Sequence, residues 1–191
     1  MKVTIVEEPN RFEEYGGVPI GFAVTEILDE RGMAALLRGE PADATAVPTA
    51  YWKDYDLHPG GRPADWPKRF DVSRWTVLAA YRGAERVGGA IIISDDPAID
   101  LLHDCPACAL LWDLRVAPNQ RARGIGSALL RAAEHRARQR AARALRVETQ
   151  QVNVAACRFY QRHGFELERV THGAYADLPN EVQLLWHKTL T

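Results

Sequence analysis

The amino-acid sequence predicts a mixed α/β (α+β) fold in which helices pack on a central sheet. Two apolar runs, 75–81 and 86–94, are joined by a short polar turn, which is the pattern of an antiparallel hairpin. Toward the C-terminus, further strand-like runs alternate with two amphipathic helical segments, and no internal repeat interrupts them. The 191 residues, 47% hydrophobic and 26% charged, are enough for one soluble domain with its own core.

The first 70 residues are the least regular part of the chain. Alternating apolar residues from Ile20 to Leu28 predict a strand, and residues 29–38 predict a short helix with Asp29 as its N-cap. Residues 41–67 are rich in proline, glycine and aromatic residues, which indicates an irregular but packed segment. Its aromatic residues either line a pocket for a cationic ligand or belong to the core or to a dimer contact. They are Tyr51, Trp52, Tyr55 and Trp66.

The rest of the chain predicts a regular succession of strands and helices. Apolar residues at helical spacing, with arginines on the opposite face, predict a long helix after Gly124. Asn153 and Gly164 are the expected N-cap and C-terminal stop of a second helix. The predicted elements are the hairpin 75–94, strand 108–116, helix 125–143, strand 144–149, helix 153–163 and the strands 165–170 and 182–188.

Charge narrows the classes of partner. The formal net charge is -1, so no overall charge attracts nucleic acid or an anionic membrane. Residues 1–60 carry five basic and eleven acidic residues, whereas residues 121–146 carry eight arginines and one acid. These arginines lack the interleaved aromatic residues that stacking on bases needs, which favours a solvated helix face over an RNA-binding surface.

Other classes are disfavoured by single features. No apolar stretch approaches the roughly 18 residues of a membrane span, and the first ten residues lack the pattern of a secretory signal. Three cysteines are too few for a disulfide scaffold, which favours a reducing cytoplasm. Cys105 and Cys108 are expected to be ordinary residues at a loop–strand junction, because a structural zinc site needs a second ligand pair. The six histidines are scattered, and no metal site is predicted.

The segment 116–127 has the features of an anion site. A strand ends, a short loop follows, and two glycines, Gly124 and Gly126, open a long helix. The first turn of a helix has backbone N–H groups without acceptors inside the helix, and the helix dipole adds partial positive charge there. Glycine allows a phosphate to approach the backbone closely, and Arg121 and Arg123 add positive charge. Neither the three-glycine dinucleotide motif nor the triphosphate-loop motif fits this spacing.

Two motifs, in this order, resemble the GNAT superfamily of N-acetyltransferases. The spacing Arg121-x-x-Gly124-x-Gly126, after a strand that ends Leu114-Arg115-Val116-x-Pro118, resembles the acyl-CoA site of that family. Residues 153–165 resemble its second signature, Asn-x-x-Ala-x-x-Phe-Tyr-x-x-x-Gly-Phe. A closer resemblance, to the streptothricin acetyltransferase branch, covers residues 108–191 and leaves residues 1–70 almost unmatched. It rests on the segments 112–116, 147–150, 153–165 and 182–188, with Tyr175 and Trp186.

The resemblance implies a single GNAT domain over residues 1–191, with the acyl-CoA core in 108–191 and the acceptor side in 1–70. It implies a mostly antiparallel sheet of six to seven strands, splayed between the parallel strands 108–116 and 144–149. It further implies acetyl-CoA as co-substrate, a small cationic amine as acceptor, a cytoplasmic location and, from family habit, a homodimer. The residues implied to bind coenzyme A are Leu114, Val116, Arg121, Ala122, Arg123, Gly124, Ile125, Gly126, Ser127, Asn153 and Tyr160.

The resemblance also implies that the amine attacks the thioester directly, without an acyl-enzyme. Tyr160 matches the general acid of the family, and a phenol with an ordinary pKa of about 10 can donate a proton toward a leaving thiol of about 8.5. A protonated amine must first lose its proton to a base or to a proton-conducting water. Asp113 and Glu148 are the candidate bases, and Glu148 is preferred because its strand ends near the expected entry of the acceptor. The alternative is that either carboxylate only binds the cation.

The acceptor is the least defined part of this interpretation. The streptothricin branch implies a dense acidic stretch in the first half, but here the acids are diluted by bases. The acids are Asp54, Asp56 and Asp65, and the bases are Lys53, Arg62, Lys68 and Arg69. Streptothricin is therefore weakened as the substrate, and aminoglycosides, polyamines and amino acids stay open. Two alternatives remain, a protein or peptide N-acetyltransferase and a non-catalytic CoA-binding sensor module. The presence of an acid and two carboxylates favours an enzyme over the sensor.

Overall fold

The structure is a computed structural model that describes residues 2–191. Its strands and helices, in chain order, are β1 (Thr4–Glu7), α1 (Phe12–Gly16), β2 (Phe22–Ile27), α2 (Glu30–Leu37), β3 (Thr45–Lys53), β4 (Thr76–Arg82), β5 (Glu85–Ser94), α3 (Asp100–His103), β6 (Cys108–Val116), α4 (Ile125–Gln139), β7 (Ala144–Gln150), α5 (Val154–Arg162), β8 (Glu166–Thr171) and β9 (Gln183–Thr189). Short 3-10 turns lie at Tyr55–Leu57, Pro63–Lys68, Val72–Arg74 and Pro118–Gln120.

The predicted fold class is confirmed. Seven strands form a mixed sheet that is mostly antiparallel with one parallel pair, and helices flank it. The strands β2 and β3 form a separate two-stranded sheet. The splay between 108–116 and 144–149 stays a prediction. Within residues 2–191, the structure contains no helix that combines the length and the apolar character of a membrane span.

The chain divides into two compact units that interleave in sequence. The first holds the residues up to Phe22, Asp54–Leu145 and Leu190–Thr191, and the second holds Ala23–Lys53 and Arg146–Thr189. This division follows neither residue 70 nor residue 108. The single-domain organisation therefore stays a prediction, and each unit is described by itself.

In the first unit, the strand order β1-β4-β5-β6 is antiparallel throughout. The strands β4 and β5 are buried on both faces, which explains why they read as continuous apolar runs rather than as alternating patterns. Helix α4 covers these strands with its apolar stripe, including Ile125 and Leu129.

A second apolar cluster is aromatic, with Trp66 and Trp75 buried and Trp112 packed against them. The pairing of β6 with β5 shifts register at Trp112, which is the unpaired extra residue of a β-bulge.

In the second unit, β7, β9 and β8 are neighbours in that order, and α2 and α5 pack on β8. The strands β8 and β9 are antiparallel, with Leu167 opposite Trp186. Trp186 is 1% exposed, and its indole N–H donates to Thr149 Oγ1 at 2.8 Å. Asn153 caps α5 as predicted, because its side chain accepts a hydrogen bond from the N–H of Ala156 at 3.1 Å. Gly164 ends that helix with a φ of 79°.

The structure corrects several predicted elements. Residues 45–53 are strand β3 rather than irregular chain. Pro48 is tolerated there because β3 lies in a two-stranded sheet, where a missing N–H need not break a ladder. The sequence reasoning also missed β1, α1 and α3. Helix α4 ends at Gln139 rather than at residue 143, since Ala141 takes a left-handed φ of 61°. Finally, Cys105 and Cys108 are joined by a disulfide that was not predicted.

Candidate active site

The loop before α4 has the backbone expected of an anion site. After the short turn Pro118–Gln120, Ala122 has a φ of 58° and Gly124 a φ of 78°, so the chain turns sharply before the helix begins at Ile125. The loop residues 121–124 are exposed. A Cβ added at Gly124 would meet no atom within 4 Å, so the space beside this glycine is open. The loop therefore presents a helix N-terminus to its surroundings without side-chain cover, which is where anions bind.

The side chain of Arg121 makes contacts that were not predicted. Its guanidinium donates to the carbonyl oxygens of Val116 at 3.0 Å, Ile20 at 3.1 Å and Gly21 at 3.0 Å. Desolvation lowers the pKa of Arg121 from its ordinary value. The side chain thus links the end of β6 to residues 20–21, and the assignments of Arg121 and Arg123 to coenzyme A stay predictions.

Asp113 lies in a buried ionic cluster centred on Arg115. Arg115 is 1% exposed, and its guanidinium contacts both oxygens of Asp113, at 3.0 and 2.7 Å. It contacts both oxygens of Asp56 as well, at 3.0 and 3.1 Å, and donates to the carbonyl of Val18 at 3.2 Å. Tyr15 lies under the guanidinium, 4.9 Å from ring centre to Cζ, and donates its hydroxyl to Asp113 Oδ1 at 2.5 Å.

The contacts of Asp113 in this cluster are all with protein side chains, and its role as a candidate base stays a prediction. Burial would lower the pKa of Arg115, but the charge and hydrogen bonds of Asp113 outweigh it and raise that pKa. The pKa of Tyr15 is raised well above 10, chiefly by burial, so this phenol stays protonated. Both oxygens of Asp113 are occupied by the Arg115 guanidinium, and Oδ1 also accepts from Tyr15, so the carboxylate is oriented toward this cluster. The geometry therefore favours Glu148 over Asp113 as the base.

Glu148 is a half-buried carboxylate whose hydrogen-bond donors, within residues 2–191, are two neutral side chains. Tyr175 donates its hydroxyl to Oε1, and Gln183 Nε2 donates to Oε2 at 3.1 Å. Burial raises the pKa of Glu148, and the two hydrogen bonds partly offset that rise. A carboxylate with a raised pKa accepts protons near neutral pH better than an exposed one, which is the property of a general base.

Tyr160 lies on α5 and is 6% exposed. Its ring packs edge-on against Phe159 and Phe165, with ring centres 5.2 and 5.3 Å apart. Two neighbouring aromatic rings hold the phenol in one orientation, as a positioned proton donor requires. Its assignment as the acid, like that of Asn153 as a coenzyme contact, stays a prediction.

Cys157 is the free cysteine of the described chain, and its thiol is buried. Its side chain is 2% exposed and shares a hydrogen bond with Thr149 Oγ1 at 3.4 Å. Burial raises the pKa of this thiol to about 12. Since the thiolate is the reactive form, a covalent acyl-cysteine at Cys157 is disfavoured.

The predicted residues fall into two groups. The first unit holds Asp113, Leu114, Val116 and the loop 121–127, and the second holds Glu148, Asn153 and Tyr160. Sequence reasoning missed the partners that decide the chemistry. Arg115 carried a usable signal, a charge within an apolar strand. The other partners carried none, because each lies far along the chain from the residue it contacts: Asp56 is 59 positions from Arg115, Tyr15 is 98 from Asp113 and Gln183 is 35 from Glu148.

Comparison with protein families matches residues 43–165 to the acetyltransferase (GNAT) family. Streptothricin acetyltransferase A of Bacillus subtilis (strain 168) is 37% identical over 81 residues. That match spans 41% of this chain and 47% of the relative, so the chain aligns with about half the length of this curated protein.

Solved structures share the fold over the whole chain. A nourseothricin acetyltransferase superposes with a TM-score of 0.74 at 19% identity, covering 100% of both chains. A protein from Bacillus anthracis str. Ames, solved in complex with acetyl coenzyme A, has a TM-score of 0.74 at 21% identity and the same coverage. The family match extends over more than half of the sequence and contains both predicted motifs in their predicted order. This chain belongs to the acetyltransferase (GNAT) family.

Proposed function

We propose that the chain is an N-acetyltransferase that transfers an acetyl group from acetyl-CoA directly to the amine of a small cationic acceptor, with an antibiotic of streptothricin type as the first candidate. The observation that carries this proposal is the environment of Glu148, a half-buried carboxylate with two neutral donors and a raised pKa. Family membership and the likeness to a streptothricin acetyltransferase support it. From the family we also propose a cytoplasmic location.

The reaction needs one base and one acid. Glu148 accepts a proton from the acceptor ammonium, which frees the nitrogen lone pair for attack on the thioester carbonyl. The carbon–nitrogen bond forms, the carbon–sulfur bond breaks, and the leaving sulfur takes a proton from Tyr160. The new amide nitrogen then loses its second proton, which restores the Tyr160 phenol by way of solvent, and Glu148 releases its proton to solvent. General acid–base catalysis of this kind contributes about 10²–10⁴-fold each. No enzyme nucleophile is required, in agreement with the inert thiol of Cys157.

The residues present fit coenzyme A as the acyl donor, whose thioester supplies the activated acetyl group. The loop 121–124 is exposed, and its left-handed residues Ala122 and Gly124 leave the start of α4 uncovered for a pyrophosphate. Backbone N–H groups over 121–127 would hold that group, and Arg123 would add charge. Arg121 acts indirectly, by bracing the loop. Leu114, Val116 and Asn153 are proposed contacts for the pantetheine arm.

The acceptor is recognised mainly through Glu148, because two of the three first-half carboxylates considered for it are already paired. Asp56 is paired with Arg115, and Asp65 is paired with Lys68 at 2.6 Å. These pairs leave Asp56 and Asp65 less able to bind a polycation. Among streptothricin-type molecules, amino sugars and other small amines, we therefore expect acceptors with fewer positive charges to be preferred.

The test is to add acetyl-CoA and a panel of amines to the purified chain and to follow release of free thiol. The panel contains streptothricin, aminoglycosides, polyamines, amino acids and basic peptides, and mass spectrometry identifies the acetylated product. Acetylation of a small amine at a saturable rate is expected. Binding of acetyl-CoA in a thermal-shift control without acetylation of any amine would overturn the proposal and favour a sensor, and preference for a peptide would favour a protein acetyltransferase.

A further inference from the structure

The loop 172–182, between β8 and β9, is held in place by its own unit. Gln151 is buried, and its side chain bridges two loop positions: Nε2 donates to the carbonyl of Asn180 at 2.9 Å, and Oε1 accepts from the N–H of Val182 at 2.6 Å. Glu181 forms a buried ion pair with Lys53 at the end of β3. These contacts fix the C-terminal part of the loop to β7 and β3.

The fixed loop brings a donor to each oxygen of Glu148. Tyr175 extends from the middle of the loop to Oε1, and Gln183, directly after the loop, reaches Oε2 at 3.1 Å. An ionised carboxylate has about four acceptor positions, so these two contacts leave capacity for the proton of an amine. Two donors on different oxygens also restrict the carboxylate to one orientation.

Contacts of this kind act on the protonation of Glu148. Burial raises its pKa, and the hydrogen bond from Tyr175 is the larger of the two effects that lower it. Of the two side chains that contact Glu148, Tyr175 is titratable and Gln183 is neutral. On the adjoining segments, the opposite charges of Lys53 and Glu181 pair with each other.

We propose that Tyr175 is a positioning residue for the base: carried by the pinned loop 172–182, its phenol orients Glu148 and keeps the carboxylate available to take a proton from the acceptor amine. The inference rests on the proposed function, since it concerns the base of that reaction. It adds a residue that acts through Glu148 and needs no contact with coenzyme A.

The decisive variant is Tyr175→Phe, which keeps the ring and removes the donor. Losing a hydrogen bond to the charged form should raise the pKa of Glu148, so the acidic limb of the kcat/KM profile should move to higher pH by roughly one unit. At pH values below the pKa of Glu148, this shift lowers kcat/KM about tenfold. At pH values well above that pKa, the variant and the wild type should have nearly the same kcat/KM. Gln183→Leu should shift the limb in the same direction by less. Tyr81→Phe is the matched control, because it removes a tyrosine–glutamate hydrogen bond, to Glu8 at 3.0 Å, in the other unit.

A second readout does not depend on turnover. The side-chain carboxyl of Glu148 can be titrated by NMR in the free protein labelled with ¹³C-glutamate, with Glu148→Gln assigning the signal. A higher midpoint in Tyr175→Phe, unchanged in Tyr81→Phe, together with the shifted limb, supports the inference. An active wild type whose Tyr175→Phe variant keeps both midpoints overturns the inference alone. A wild type that acetylates no amine overturns the proposed function, and the inference with it, whatever the titration shows.

Discussion

Replacing Arg115 by methionine should destabilise the protein strongly, because two carboxylates would lose their counter-charge. The side chains of Arg115 and Asp113 are 1% and 8% exposed, and that of Asp56 is 19% exposed. Arg115 makes five hydrogen bonds, four of them to these carboxylates. Removing one partner of a buried ion pair costs about 3–5 kcal/mol, because the remaining charge stays buried without compensation.

This loss can be measured as the free energy of unfolding in urea at pH 7. For a chain of this size, about 3–5 kcal/mol corresponds to roughly 6–20 °C in Tm. Arg74→Met is the control, since Arg74 pairs with Asp95 while both side chains are largely exposed, and it should cost less than about 1 kcal/mol. Adding Asp113→Asn to Arg115→Met should restore part of the stability, because it removes one uncompensated charge. If Arg115→Met unfolds within about 1 kcal/mol of the wild type, the structural assignment of this cluster is wrong.

Three further predictions concern single residues. Tyr160→Phe should lower kcat by about 10²-fold or more while the affinity for acetyl-CoA, measured by calorimetry, stays within about threefold; an unchanged kcat would remove Tyr160 as the acid. Gly89→Ala should cost about 1–3 kcal/mol in urea unfolding, because the new Cβ would lie 2.7 Å from the carbonyl of Leu78 and against the ring of Tyr15; a neutral change would show that β5 can move away. A thiol-reactive dye should label no cysteine in the native protein, one after denaturation without reductant and three with reductant; rapid native labelling would contradict the burial of Cys157.

The sequence predicted the elements whose signals are local. The hairpin 75–94, strand 108–116 and helix 153–163 combine periodic apolar residues with their own caps or turns, and each forms within a few residues of its expected bounds. Strand β3 was missed because Pro48 and the proline- and glycine-rich sequence around it weaken its local signal. Its strand geometry comes from pairing with β2, at a distance in the chain that local propensity does not report.

In the candidate site, too, only residues with a local signal could be proposed from the sequence. Glu148 and the glycine loop were proposed because a strand end and a motif mark them. The residues that contact Glu148 and Asp113 could not be proposed, because they are distant in the chain: Tyr175 and Gln183 lie 27 and 35 positions from Glu148, and Tyr15 lies 98 positions from Asp113. Hydrogen bonds between residues so far apart depend on the folded arrangement, and their effect on a pKa cannot be read from the residue types.

The choice of base is the central claim about mechanism, and kcat with an accepted amine for Glu148→Gln beside Asp113→Asn tests it most directly. Glutamine keeps the size of the side chain but cannot take the proton, so Glu148→Gln should lower kcat by about 10²–10⁴-fold and remove the acidic limb of the pH profile. Asp113→Asn should stay within about tenfold of the wild type per folded molecule and keep that limb, since Arg115 retains its pair with Asp56. A large loss in Asp113→Asn beside a nearly unchanged Glu148→Gln would contradict the account.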